Sequence, residues 1–316
     1  MAINRASIGK QLLPGLNAIF GLEYGSIDEE QKPLFEIENS DRAFEEEVLM
    51  TAFGEAPVKA EGSAVSYESA SESWAARYTH QTIALAFAVT EEAMEDNLYD
   101  TFAKIRAKSL ARSMAATKQT KAAAIFNNGF TSGLGGDGVV LFSAAHPVQA
   151  GNQSNLLTAA DLSESSLETA VIQIQKAEDD RGILIGSMPV SLHIPPDLQF
   201  VAQKILKSTL STTTVVYGDN LAGVPGNVAG VTNTNDVNAV RSMGVVPQGD
   251  FVNHRFTAAG AWFVKTDVPN GTKMFVRAPL GTKMEPDFDT GNLRFKARER
   301  YSFGWSDWRG FYGNAG

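Results

Sequence analysis

From Trp74 to Val89 the chain reads WAARYTHQTIALAFAV and keeps a period of two. Trp74, Ala76, Tyr78 and His80 share one face, and Ile83, Leu85, Phe87 and Val89 continue the alternation on the other, which predicts a strand. FEEEVLMTAF (Phe44 to Phe53) is its predicted partner. Sixteen extended residues span about 50 Å at roughly 3.4 Å each, against about 17–20 Å for an ordinary strand. Between the two runs lies GEAPVKAEGSAVSYESASES, Gly54 to Ser73, where a hairpin turn needs only about 2–5 residues. The pattern describes a ribbon that leaves the body of the protein. A lone two-stranded ribbon is marginal in water, so this one calls for a surface to lie against, and nothing places that surface in the same chain.

At Thr90 the period changes to that of a helix, with Thr90 as N-cap and Asn127, Asn128 and Gly129 as the stop. Acidic residues crowd its start and Lys104, Arg106, Lys108, Arg112, Lys118 and Lys121 fill its later turns, the order the helix dipole favours. Met94, Leu98, Phe102 and Ile105 make one apolar row, and Ala103, Ala107, Leu110 and Met114 make another. The helix would run roughly 55 Å. Ahead of the ribbon, residues 1 to 43 hold one weak amphipathic group (Leu12, Leu13, Leu16, Ile19, Phe20) and read as an extended arm.

Beyond the long helix the pattern predicts a short strand at Val139–Phe142, helices over 163–180 and 196–210, and a strand at Val190–Ile194. Residues 211–240 are a Thr, Asn and Gly-rich loop. Strands follow at 251–252, 261–265 and 273–276, and then at LRFKARERYSFGW. Helices and strands mix throughout, an α+β arrangement.

Composition narrows the function. With 27 Lys and Arg against 36 Asp and Glu, the net charge of -9 gives no general attraction to nucleic acid or an anionic membrane. The chain has no cysteine, which excludes thiol nucleophiles and Cys-ligated metals, and no apolar run approaches the roughly 18 residues of a membrane-spanning helix. His80, His146, His193 and His254 lack any short metal-ligand spacing. Ser143 and His146 in FSAAHP suggest a hydrolase pair, but the G-x-S-x-G elbow is missing. GLGGDG lacks the Lys-Ser or Lys-Thr of a phosphate loop, and Glu285, Asp287 and Asp289 lack EF-hand spacing, so both read as connections. Neither metal nor cofactor is expected.

The strongest pattern is terminal. In DTGNLRFKARERYSFGW, Leu293, Phe295, Ala297, Tyr301, Phe303 and Trp305 alternate with Arg294, Lys296, Arg298 and Arg300, one face apolar and the other a row of cations in need of partners. A solvated strand face, another subunit's carboxylates and nucleic acid are the three readings, with the second favoured over the third.

An arm, a long ribbon with a small-residue tip, a very long helix and then mixed elements with Gly, Asn and Thr loops: this order resembles the tailed-bacteriophage major capsid proteins of the Hong Kong 97 type. LFSAAHP (Leu141–Pro147), GILIGSMPVSLHIPPDLQFVAQKIL (Gly182–Leu206) and LRFKARERYSFGWSDWRGFYG are similar to the Mu-like major head subunit group in particular. The resemblance implies an N-terminal arm over 1–43, an extended E-loop over 44–89 and a peripheral domain over 90–185 with its spine helix at 90–128. An axial domain over 186–266 and return strands of the peripheral domain over 267–316 complete it.

Its function would be mechanical, many copies closing as pentamers and hexamers into an icosahedral shell around double-stranded DNA bound without sequence specificity. Inter-subunit contact is expected from Glu45, Glu46, Glu47 and Lys59 of the E-loop and from Arg294, Lys296, Arg298 and Arg300. The partners would be further copies of the chain, a portal protein and, because the arm meets the E-loop within about forty residues, a separate scaffolding protein. A decoration protein is left open, and no membrane is involved. Assembly would take place in the host cytoplasm and the product would be the virion capsid. The nearest alternative is an encapsulin-like nanocompartment with an enzyme cargo, and the alternative of another class is the Ser143–His146 hydrolase.

Overall fold

The computed structural model describes residues 5–69, 71–90, 92, 99–210, 237–287 and 291–316. In chain order the elements are α1 (Arg5–Gly25), β1 (Glu36–Asn39), β2 (Phe44–Met50), β3 (Glu72–Thr79), β4 (Gln81–Val89), α2 (Tyr99–Asn127), β5 (His146–Val148), β6 (Gly151–Gln153), α3 (Glu164–Gln175), β7 (Pro189–Ile194), α4 (Gln199–Lys207), α5 (Ala239–Ser242), β8 (Asp250–Val252), β9 (Trp262–Thr266), β10 (Thr272–Pro286), β11 (Leu293–Trp305) and β12 (Phe311–Asn314). They group into two compact units, one of residues 1–47, 77–125 and 273–304, the other of 48–76, 126–272 and 305–316.

The first unit is built on a four-stranded sheet in the order β1-β10-β11-β4. β1 runs parallel to β10, and β11 antiparallel to β4 from Leu293↔Val89 to Tyr301↔Gln81. One face is covered by two helices. Leu16 and Phe20 of α1 and Ala103, Ala107, Leu110, Ala111 and Met114 of α2 pack with Phe295 and Ala297 of β11. Alanines at 103, 107 and 111 keep that stripe of α2 narrow, so other apolar groups can approach its backbone. Of the two apolar rows expected on this helix the small-residue one therefore lies inward, while Ile105 is 59% exposed; Met94 and Leu98 lie outside the described residues. The N-terminal segment is a correction to the sequence reading: it is helix over 5–25, and burial of Leu16 and Phe20 supplies the reason.

The second unit holds the sheet β12-β9-β7-β8, in which β7 runs parallel to β8 and antiparallel to β9. Side chains alternate through it. Trp262, Val264 and Tyr312 join Leu167, Ile174, Ala202, Ile205 and Val240 of the helices, whereas Phe263 and Phe311 meet Phe126, which lies 5.3 and 4.9 Å from their ring centroids. The chain end needs its glycines. A Cβ on Gly310 would lie 2.5 Å from the Gly271 Cα, and one on Gly313 would lie 2.6 Å from the Phe142 ring.

Two expected strands change form. The run 74–89 breaks at His80 into β3, which pairs with β2, and β4, which pairs with β11. Val139–Phe142 forms a single bridge, Val140 to Leu134, in place of a strand. The 211–240 loop lies outside the described residues up to 236, and so does Asp289.

Candidate subunit interface

The inward side chains of β11 fix what its outward side presents. Because Phe295 and Ala297 are buried against the helices and Leu293 on the same face is buried too, Arg294, Lys296 and Arg298 point the other way and are exposed; Arg300 is half-buried. The register sets Ala88, Ala86, Ala84 and Thr82 of β4 directly beside Arg294, Lys296, Arg298 and Arg300. All four of those neighbours are exposed and none is charged. Arg294 is paired with Asp287 within the chain, but among the described residues no ion pair is formed by Lys296 or Arg298. The result is a row of cations beside a shallow, uncharged trench.

Glu299 escapes the expected alternation of cations and hydrophobics. It points inward with its side chain 2% exposed and binds Lys118 Nζ at 2.7 Å; Lys118 also donates to the Tyr24 hydroxyl at 2.7 Å. Burial pushes the Glu299 carboxyl above its ordinary range, Lys118 only partly opposing it. Burial lowers Lys118, yet its bonds to Glu299 and Tyr24 outweigh that and leave it raised. The signal in the sequence was an acid at an inward position of a strand.

The acids expected to face the cationic row are engaged within their own chain. Glu45 accepts from Ser40 Oγ at 2.6 Å, and Ser40 contacts His80 Nε2 at 2.9 Å, whose Nδ1 meets Ser302 Oγ at 3.0 Å. Glu46 lies 3.7 Å from Arg77, whose guanidinium sits over the Phe44 ring at 4.0 Å. Glu47 is held with Glu38 by the buried Lys273. A contact from these acids to another copy would have to compete with those bonds.

The loop between β2 and β3 is tied at its base and free at its tip. Thr51 N–H donates to Ser71 C=O at 2.9 Å, Ala52 N–H to the Asp180 carboxylate at 3.1 Å, and Gly54 N–H to Glu68 at 2.9 Å, while Arg181 pairs with Glu68 at 3.2 Å. Part of the surface this loop needs is thus its own chain's 179–183 turn. Beyond Gly54 the tip is open. Val58 is 100% and Tyr67 94% exposed, and Glu55, Lys59 and Glu61 are exposed as well, as is Glu72 at the start of β3.

Ser143 and His146 do not form a nucleophile and base. His146 is fully buried, with Nδ1 2.6 Å from Asp137 and Nε2 3.0 Å from Asn155 Oδ1, and stacks on Trp308 at 4.4 Å. Asn155 in turn donates to the carbonyls of Leu141, Trp308 and Phe311, while Ser143 Oγ accepts from Ala145 N–H. This network fastens the chain end. In the GLGGDG stretch, a Cβ on Gly136 would strike the Ala75 carbonyl at 2.7 Å, so the glycine serves packing.

Comparison with known protein families matches residues 74–314 to the phage capsid protein family, three-quarters of the chain. The chain belongs to that family. Among solved structures, the phage capsid protein is similar to the virus-like particle from Pyrococcus furiosus, with 10% identity, a TM-score of 0.53, and 95% of this chain and 97% of that one covered. The capsid of the native GTA particle gives 12% identity and a TM-score of 0.53, with 92% of each chain covered. The procapsid of bacteriophage JBD30 gives 13% and 0.51 over 99% of this chain and 76% of that one. No curated protein matches the chain. The fold is the Hong Kong 97 type expected from the sequence, and the protein is a major capsid protein, a structural component of the virion that associates with its own copies in a shell.

Proposed function

We propose that the copies meet as pentamers and hexamers and that the cationic face of β11 is one of the surfaces on which they meet. Lys296 and Arg298, which form no ion pair among the described residues, carry this reading, together with the acids exposed on a loop tip that has no strand or helix of its own. In this scheme residues 44–89 are the E-loop, α2 is the spine helix, and segments around 90–185 and 267–316 form the peripheral domain, with the axial domain between. Glu55, Glu61 and Glu72 replace Glu45, Glu46 and Glu47 as the carboxylates offered to a neighbour, since the latter three have intrachain partners. A single exposed pair contributes about 0–1 kcal/mol, but a contact repeated in every subunit of a shell accumulates.

The same proposal gives the shell double-stranded DNA as contents, held without sequence specificity, and scaffolding and portal proteins as assembly partners in the host cytoplasm. The net charge of -9 suits a container that must not bind its contents tightly. The closer kinship with the Mu-like head subunits rests on the three stretches that resemble them. Arg298→Glu tests the cationic face. Assembly in the absence of DNA should fall at least about tenfold, since the loss recurs in every subunit and about 1.4 kcal/mol in all already amounts to tenfold. Should the variant assemble empty shells normally and fail only to package DNA, the face meets phosphates and not a neighbour.

A further inference from the structure

The turn between β9 and β10 carries a pair of residues whose chemistry the fold sets. Pro269 followed by Asn270 at a φ of 59° makes a turn that enters the left-handed region, where asparagine is tolerated and where no other non-glycine residue lies among the described residues. Packing requires the glycine that follows, since a Cβ on Gly271 would lie 2.9 Å from the Gly310 Cα. Turn and packing together leave Asn-Gly here, the dipeptide in which no side chain hinders attack of the second nitrogen on the asparagine carboxamide.

The chain holds a second such pair, Asn128-Gly129, just beyond α2. Both asparagines are exposed, and they differ in the nitrogen that follows. Gly129 N–H donates to Phe126 C=O at 3.1 Å, and Asn128 C=O accepts from Thr131 and Ser132 N–H, so this pair is held by the helix end. Among the described residues Gly271 N–H donates to nothing, and the Asn270 carboxamide has no partner. A nitrogen bonded to a carbonyl must give up that bond before it attacks, and a free one need not.

We propose that Asn270 is a site of spontaneous deamidation, with water as co-reactant, and that the product loosens the chain end. The Gly271 nitrogen bonds to Asn270 Cγ as its proton passes to hydroxide, the Cγ–Nδ2 bond breaks, and the amide nitrogen leaves as ammonia with a proton from water. Water then opens the imide at either carbonyl, giving aspartate or, with the main chain now running through Cγ, isoaspartate. Nothing is oxidised or reduced. Asn270 C=O accepts from Asp307 N–H at 2.8 Å and Gly271 C=O from Ser306 N–H at 2.9 Å, which fastens the two residues leading into the chain end. Isoaspartate converts the first of those carbonyls to a free carboxylate and adds a carbon to the main chain before Gly271, whose contact with Gly310 leaves no slack.

Peptide mass spectrometry on the full-length chain, aged at mildly alkaline pH both folded and in guanidinium chloride, tests the site. Each deamidation raises a peptide's mass by about 1 Da. Relative to the ratio found in denaturant, the folded chain should favour Asn270 over Asn128 by about tenfold, the factor that one hydrogen bond on the Gly129 nitrogen imposes. An unchanged ratio, a ratio shifted toward Asn128, or no mass gain at Asn270 overturns the proposal. Hydrogen exchange reads the consequence. Peptides over 306–314 should exchange faster in the aged wild-type chain than in the fresh one, whereas in Asn270→Gly, which suits the positive φ and has no carboxamide, ageing should leave them unchanged. If the two aged chains loosen alike, or neither loosens, deamidation does not control the chain end and that half of the proposal falls.

Discussion

His193 and Lys118 show how much single buried groups contribute here. His193 lies inside the second unit against Ser191 Oγ at 2.9 Å and the Phe251 ring, and burial lowers it from 6.5 to about 3, the Lys265 charge adding to the effect. The unfolded chain therefore takes up the proton first, and stability present above about pH 6.5 is lost as pH falls toward 3, on the order of 5 kcal/mol in total. His193→Gln keeps a partner for Ser191 and should flatten the fall in urea midpoint between pH 7 and 4.5. An unchanged slope would show that other groups govern it. Lys118→Met leaves Glu299 buried without its cation and should cost about 3–5 kcal/mol in urea denaturation, most of it recovered by adding Glu299→Leu. If the single variant is as stable as the wild type, the pair is not desolvated. Glu299 was marked in the sequence only as an acid at an inward position of its strand, without its partner, and a histidine in VSLHI carries no local mark of what packs over it.

At the scale of elements, legibility followed period. LRFKARERYSFGW became β11 with the boundaries its alternation predicts, and the row Ala103, Ala107, Leu110, Met114 became the inner face of α2. What failed depended on tertiary contacts. The weak amphipathic group of the first twenty residues became helix because a sheet and α2 were there to receive Leu16 and Phe20. The strand 74–89 divided at His80 because its two halves pair with different strands, which alternation alone cannot reveal. The loop tip follows the sequence reading beyond Gly54, and so does its predicted behaviour. Deleting Val58–Tyr67 spares the bonds of Thr51, Ala52, Gly54 and Glu68, so unfolding free energy should stay within about 1 kcal/mol of wild type. Sedimentation should nevertheless show capsomers or monomers in place of particles. Normal particles from the deletion would remove the tip from the interface.

For the whole molecule, the order of elements along the chain identified the fold before any contact was known, while the partners of the charged residues became visible only in three dimensions. Glu45, Glu46 and Glu47 are the densest acidic run, yet Ser40, Arg77 and Lys273 claim them. Of the cationic row, Arg294 pairs with Asp287, and Lys296 and Arg298 form no ion pair among the described residues, which is what the proposed contact between copies would use. Electron microscopy of the purified full-length chain across a salt series tests this most directly. Closed icosahedral shells should form at moderate ionic strength and give way to capsomers as salt screens the exposed cations, the screening length falling from about 10 Å at 0.1 M to about 3 Å at 1 M. A chain that stays monomeric throughout the series, or whose shells are indifferent to salt, would contradict the account.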